Sequence, residues 1–321
     1  MQSYNEILIQ FQTFFAQHKF PQHPVKLYEP CSYILSMGGK RIRPVLCLMS
    51  HELFAPLTQN AWNTATAIEL FHNFTLMHDD IMDKAPLRRG MQTVHEKYNL
   101  STAILSGDVM NIFSYVHLSK INSEHIHSVF QLFNQTAIEI CEGQQLDMDY
   151  ENNEYISTSE YLQMITLKTS VLLGASLKLG AILGGATDGC SNILYQFGKD
   201  MGIAFQIKDD YLDVYGDSQK TGKQIGGDIL SNKKTYLITK AFEIASTEQH
   251  KELTHLYNTS SENKVEKIVS LFEKLKIKEI VQQEILKYTE QSFALLEKVP
   301  VISKRKKELY QLATMLLHRE Y

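Results

Sequence analysis

A chain of 321 residues with 44% hydrophobic composition can bury one large core or two smaller ones. Its formal net charge of −4 offers no overall attraction to nucleic acid, so no nucleic-acid partner is expected. Cys31, Cys47, Cys141 and Cys190 are scattered without a C-x-x-C pair, which argues against a disulfide or zinc framework and for reduced thiols in the cytoplasm.

Seven prolines are present, and none lies between Pro86 and Pro300. Proline breaks helices, so a proline-free interval of that length with few alternating runs predicts long helices throughout: an all-α fold. No repeat, linker or composition shift divides the chain, and residues 1–321 read as a single domain. The stretch Met1 to Glu6 has no basic region leading into an apolar core, so no signal peptide is expected. Val171 to Gly185, the most apolar later stretch, is interrupted by Lys178 and reads as too short to span a bilayer. A soluble cytoplasmic protein without membrane insertion follows.

In chain order, residues 4–19 read as an amphipathic helix ended by Pro21 and Pro24. Met37-Gly38-Gly39-Lys40-Arg41-Ile42-Arg43-Pro44 is a glycine turn with three cations; it suits an anion, or else is a helix cap with solvated side chains. From about residue 60 to 83 a long helix carries the stripe Ala65, Ile68, His72, Thr75, Asp79 and ends in Asp79-Asp80-Ile81-Met82-Asp83, with Arg88-Arg89 just beyond. His72 lies about two turns below Asp79, either as an ordinary core histidine or as part of a site. Residues 100–120 and 124–150 give two more helices, the second placing Gln144 and Asp147 on one face.

Ser157-Thr158-Ser159-Glu160 has the form of a capping box and starts a helix in which Lys168-Thr169 sits about two turns in. That lysine either snorkels outward or serves a polar cavity. After the Gly184 to Gly189 break, another helix carries Gln206 and Asp209-Asp210-Tyr211-Leu212-Asp213. Residues 215–228, with Lys220 and Lys223, read as a flap with Lys233 at its far end. The remainder reads as helical, and Lys304-Arg305-Lys306-Lys307 as a solvated helix face.

Four-residue spacing puts Asp79 and Asp83, and likewise Asp209 and Asp213, on one helix face. Either motif alone is equally a solvated helix end. Together, if the helices face one another, they gather six carboxylates that cannot stay ionised in low dielectric without compensation. Hard divalent cations supply it, and Mg²⁺ suits best because one or two carboxylates commonly hold it while phosphate and water complete its shell. Arg88, Lys168, Lys223 and Lys233 are placed to meet the phosphate's own charge. Lys40, Arg43, His72 and Arg89, without a carboxylate partner nearby in sequence, suit a second anion bound without metal.

In combination, Gly38 to Pro44, the two D-D-x-x-D stretches and Arg88-Arg89-Gly90 resemble the trans-isoprenyl diphosphate synthases of the polyprenyl synthetase family across essentially the whole chain. The resemblance implies a helical bundle around a deep central cavity, and a homodimer. It implies that Asp79, Asp80, Asp83, Asp209, Asp210 and Asp213 bind three Mg²⁺ and an allylic diphosphate, assisted by Arg88, Lys168, Thr169, Gln206 and Lys223. Lys40, Arg43, His72 and Arg89 would hold isopentenyl diphosphate. Asn232 stands before Lys233 where a glycine is common, a departure that touches the loop's shape and leaves the role of Lys233 open.

Phe74 lies five residues before Asp79, about 7.5 Å down the helix, and Phe71 one turn below that. An aromatic there, with small Thr75 next to it and no insertion in the motif, resembles synthases making the C20 geranylgeranyl product. The C15 farnesyl product is the alternative, and Phe74 as plain core packing is the other reading of the pattern. A class I terpene cyclase would carry a different second metal motif and need no second diphosphate site. A non-catalytic synthase subunit would tend to lose one Asp motif, and a metal-storing bundle would carry Glu-x-x-His partners.

Overall fold

Short polar side chains start several of the helices. In a computed structural model of the protein, residues 1–121, 123–216, 225–259 and 263–317 are described. Ser3 caps α1 (Tyr4–Phe15), Thr58 caps α4 (Gln59–Met82) and Asn99 caps α6 (Leu100–Leu118), each accepting a backbone N–H of the first turn. Ser157 and Glu160 form the expected capping box at α8 (Thr158–Ile165). The remaining early helices are α2 (Val25–Ser36), α3 (Ile42–Glu52), α5 (Val94–Lys97), α7 (Ser123–Glu151), α9 (Val171–Leu183) and α10 (Asp188–Tyr215). A π-helical turn, Thr166–Ser170, joins α8 to α9.

Among the described residues the all-α expectation holds with one local exception, a hairpin of two-residue strands, Leu87–Arg88 and Met91–Gln92. Arg89 and Gly90 at its turn both have positive φ, 54° and 77°, the geometry that matches the twist of a two-residue hairpin. The first helix stops at Phe15, four residues short of the periodicity reading. Of the basic run 304–307, Lys306 is buried, and Arg305 donates to the Leu53 carbonyl at 2.7 Å. That run is therefore only partly a solvated face. The stretch from Thr158 to Leu183 is helical throughout, so by length and composition it could cross a membrane, contrary to the shorter reading; 67% of its most apolar window is buried inside the protein, as in a core helix.

The chain forms two compact units, each assembled from separated segments. The first comprises residues 1–134, 175–194 and 300–309. Within it α4 packs on α3 and α6, and α2 on α6. The α3–α9 contact is close because Gly180 lies against the Cys47 carbonyl, where an added Cβ would stand 1.9 Å away. The second unit comprises residues 135–174, 195–299 and 310–321. Its core gathers Tyr161, Ile207, Leu237, Leu253, Phe272 and Val281, all at most 2% exposed.

Candidate active site

In the first unit, burial along α4 falls toward its C-terminus: Ala65 and Ile68 are buried, while His72, Thr75 and Asp79 are partly open. The helix thus changes from core element to site element along one face. Asp80 is the buried member of the first motif, 2% exposed, and Arg88 grips it with Nε at 2.8 Å from Oδ2 and Nη2 at 2.7 Å from Oδ1. The hairpin sets that fork, since Arg88 sits opposite Met91 in its short ladder. Asp83 closes the helix in exposed surroundings.

Beside the motif lies the basic cluster. Arg43 Nη1 is 3.1 Å from His72 Nε2. Arginine has no acceptor, so His72 accepts there and carries its own proton on Nδ1. Burial first, and then Arg43 and Arg89, push the His72 pKa well below its ordinary value, so its imidazole is neutral at pH 7. Arg89 donates to the Gly38 carbonyl and its guanidinium lies against Gly39, whose φ of 135° is a conformation that favours glycine. Arg41, in the left-handed region at φ 48°, does not join this surface. It turns inward to pair with Glu69, which also accepts from Asn73 Nδ2 at 2.7 Å. Lys40 is exposed at the same turn.

Phe74 lies in a column of rings, 5.6 Å from Phe71 and 4.8 Å from His78, with Phe71 5.1 Å from Phe133. Thr75 Oγ1 bonds back to the His72 carbonyl at 2.8 Å.

In the second unit, Asp210 is the buried counterpart of Asp80, also 2% exposed. It accepts from the Tyr161 hydroxyl at 2.5 Å, the Tyr236 backbone N–H at 2.8 Å and Gln206 Nε2 at 3.3 Å. Burial raises its pKa to about 6, and Lys233, the Tyr161 hydroxyl and the Tyr236 N–H oppose that rise. Asp209 and Asp213 sit on the more open side of α10, and Asp213 Oδ2 accepts the Asp228 N–H at 3.0 Å. Lys233 Nζ is 3.8 Å from Asp228. Asn232 takes φ 57°, the left-handed conformation that glycine adopts freely and asparagine tolerates, so its departure from the glycine pattern keeps the turn.

Lys168 neither snorkels nor stands alone: its ammonium is 2.5 Å from Asp147 Oδ2. It sits on the π-helical turn with Thr169, and Gly143 of α7 packs against the backbone of that turn, where an added Cβ would lie 2.2 Å from the Lys168 nitrogen. Gln144, next to that glycine, is buried with neither amide atom hydrogen-bonded.

A family model described as polyprenyl synthetase matches residues 24–275. The chain belongs to the polyprenyl synthetase family. It is 41% identical over 222 residues to a geranylgeranyl diphosphate synthase of Methanosarcina mazei, covering 68% of each chain. It is 40% identical over 238 residues to a geranylfarnesyl diphosphate synthase of Natronomonas pharaonis, covering 68% of this chain and 70% of that one. A crystal structure of a geranylgeranyl pyrophosphate synthase superposes over all of both chains with a TM-score of 0.95 at 39% identity. As a member of this family the protein is a prenyltransferase with the all-α isoprenoid synthase fold.

The donor set of both motifs suits a hard divalent cation, being carboxylate oxygen throughout. In each motif the middle aspartate is tied down by protein donors while its two neighbours lie on the open side. Among the described residues no three His, Cys, Asp or Glu side chains converge into a preformed metal site. Lys223 lies outside the described residues.

Sequence reasoning missed Tyr161, Asp228, Arg41, Glu69 and Gly143. Each acts on a residue distant in sequence, and Arg41, though inside the Gly38–Pro44 motif, reads there only as one of three cations suited to an anion. The signal that existed was chemical: Glu69 is an acidic residue in the middle of an apolar stretch, and such a residue needs a cation.

Proposed function

We propose that the protein condenses isopentenyl diphosphate with dimethylallyl, geranyl and farnesyl diphosphates to give the C20 product, geranylgeranyl diphosphate. The observation that carries this reading is the pairing, in the first unit, of an Asp-rich helix end with a separate basic cluster whose histidine is neutral. Two anions of different demands are thereby accommodated, one through metal and one through arginine and lysine.

Asp79, Asp80, Asp83, Asp209, Asp210 and Asp213 are the residues that would hold Mg²⁺, three ions in all. Bound to the allylic diphosphate, Mg²⁺ supplies the positive charge that stabilises the leaving group as the C–O bond ionises. Arg88, Lys168, Thr169, Gln206, Lys223 and Lys233 orient that diphosphate, while Lys40, Arg43, His72 and Arg89 hold isopentenyl diphosphate. The alkene of isopentenyl diphosphate attacks the allylic cation, a new carbon–carbon bond forms, and a proton leaves to the released diphosphate.

The name of the Methanosarcina mazei relative supports the C20 length, and the Phe74–Phe71 ring column supports a floor at that depth. The geranylfarnesyl relative makes C25 a second length to look for. The chain works as one polyprenyl synthetase domain over residues 1–321, as a homodimer. The exposed stripe Leu105, Ile112 and Val116 on one face of α6 supports the dimer. Free thiols at Cys31, Cys47, Cys141 and Cys190 suit the cytoplasm.

Incubation with Mg²⁺, isopentenyl diphosphate and each allylic primer, followed by mass spectrometry, tests the reading. A dominant C20 product is expected. C15 or C25 would move the floor, and no elongation with any primer would overturn the assignment.

A further inference from the structure

A cavity of about 670 Å³ lies in the first unit, walled by the end of α1, the first two turns of α4 and the end of α6. Thr66 on its wall is thirteen residues before Asp79, about 20 Å along the helix. The cavity is therefore remote from the first motif.

Its lining is unusual. Lys19 and Lys120 contribute cations, His18 and His117 imidazoles, and no lining residue carries a carboxylate. His18 Nδ1 and His117 Nε2 are 3.0 Å apart. One of them must donate and the other accept, so either tautomer leaves the pair one further N–H and one further lone pair. Both remaining nitrogens, His18 Nε2 and His117 Nδ1, are buried without a hydrogen-bond partner, as is the hydroxyl of fully buried Thr66. Buried polar groups are nearly always paired, and three unsatisfied ones around a cation-flanked cavity ask for a ligand. Phe14 and Phe113 supply an apolar wall, and the His18 ring stands edge-on to Phe113 at 5.6 Å.

We propose that this cavity is a second anion-binding site, taking a small soluble phosphate ester with an apolar body, and that it takes up a proton as the ligand binds. The tetrahedral oxyanion meets Lys19 and Lys120 and feels the charge of the imidazole pair behind them; the organic group lies on the phenylalanines. With one added proton the pair shares a hydrogen between the facing nitrogens, and its positive charge joins those of Lys19 and Lys120 beside the oxyanion. Without a ligand, burial, then Lys120, then Lys19 hold the His18 pKa down to about 4; burial, then Lys120, then His18 do the same for His117. From α4 no charged residue faces the pair among the described lining residues. A bound dianion reverses that balance, so proton uptake and ligand binding favour each other.

The test is a titration of the full-length protein in EDTA, with no metal and no isoprenoid, using sulfate and phenyl phosphate as probes. Sulfate does not titrate near neutrality, so any pH dependence of its binding belongs to the protein. Histidine imidazole resonances are followed by NMR, with His117→Gln supplying the assignment. Saturable shifts of the His18 and His117 signals are expected, with phenyl phosphate binding more tightly than sulfate. Sulfate affinity should rise as pH falls from 8 to 6, by up to about tenfold per pH unit where one full proton is taken up per ligand. Lys120 is exposed, so Lys120→Gln leaves the fold intact even if His117→Gln does not; it should weaken both probes at least fivefold and leave isoprenoid elongation unchanged. Unmoved imidazole signals, pH-independent sulfate affinity, or binding indifferent to Lys120→Gln would each overturn the proposal. Because no prenyl substrate is involved, the result stands apart from that of the elongation assay.

Discussion

Substituting Gly143 with alanine should damage catalysis through a single methyl group. The new Cβ would stand 2.2 Å from the Lys168 nitrogen and 2.7 Å from the Leu167 carbonyl carbon and the Lys168 Cα. Ordinary contact begins at 3.4 Å, so the π-helical turn must retreat by the difference between 2.2 and 3.4 Å, about 1.2 Å. Backbone atoms are involved, and no side-chain rotation relieves them. Overpacking of this kind costs about 1–3 kcal/mol. The retreat carries Lys168 away from Asp147 and shifts its ammonium relative to any bound diphosphate. A misplacement near 1 Å costs on the order of 100-fold in rate.

Thermal unfolding and steady-state elongation are measured for Gly143→Ala beside Gly180→Ala, whose Cβ would clash with the Cys47 carbonyl in the α3–α9 contact instead. Both variants should lose stability, and Gly143→Ala should lose kcat by a far larger factor. Wild-type kcat in Gly143→Ala, or equal kcat losses in the two variants, would refute the reasoning.

Glu69→Ala leaves Arg41, only 8% exposed, as an unpaired buried cation, and should cost about 3–5 kcal/mol in denaturant unfolding while raising KM for isopentenyl diphosphate through the disturbed Gly38–Arg43 turn. His72 titrates near 6.5 when unfolded and well below that in the fold, so its contribution to stability is present above pH 6.5 and is lost as pH falls below it. Wild-type stability should therefore drop by up to roughly 2 kcal/mol more than that of His72→Asn between pH 7 and pH 5, read from chemical denaturation at each pH. Phe74→Ala opens the ring column between Phe71 and His78 and should lengthen the products; products no longer than those of the parent would reject Phe74 as the floor.

The helices were legible where periodicity and capping agree. The Gln59–Met82 helix and the Ser157/Glu160 box matched because both are local patterns, within one or two turns of sequence. The motif aspartates were legible for the same reason. The contacts around them were not: Tyr161 reaches the motif's Asp210 across 49 residues, and Lys168 pairs across 21 with Asp147, which stands outside both motifs. The hairpin at Leu87–Gln92 escaped the periodicity reading because its strands are two residues long, too short to alternate. Lys306 was misread as solvated because a basic run looks alike from sequence whether or not one of its members turns into the core.

The proposed chemistry needs two anion surfaces of different kind: Asp-rich helix ends that need a divalent cation, and a basic cluster around Arg43, neutral His72 and Arg89 that does not. Calorimetric titration, with and without Mg²⁺, of isopentenyl diphosphate and of a non-ionisable allylic diphosphate analogue tests this directly. Isopentenyl diphosphate should bind in EDTA with its affinity essentially kept, and the allylic analogue should bind only when Mg²⁺ is present. Metal-independent binding of the allylic analogue, or loss of isopentenyl diphosphate binding in EDTA, would contradict it.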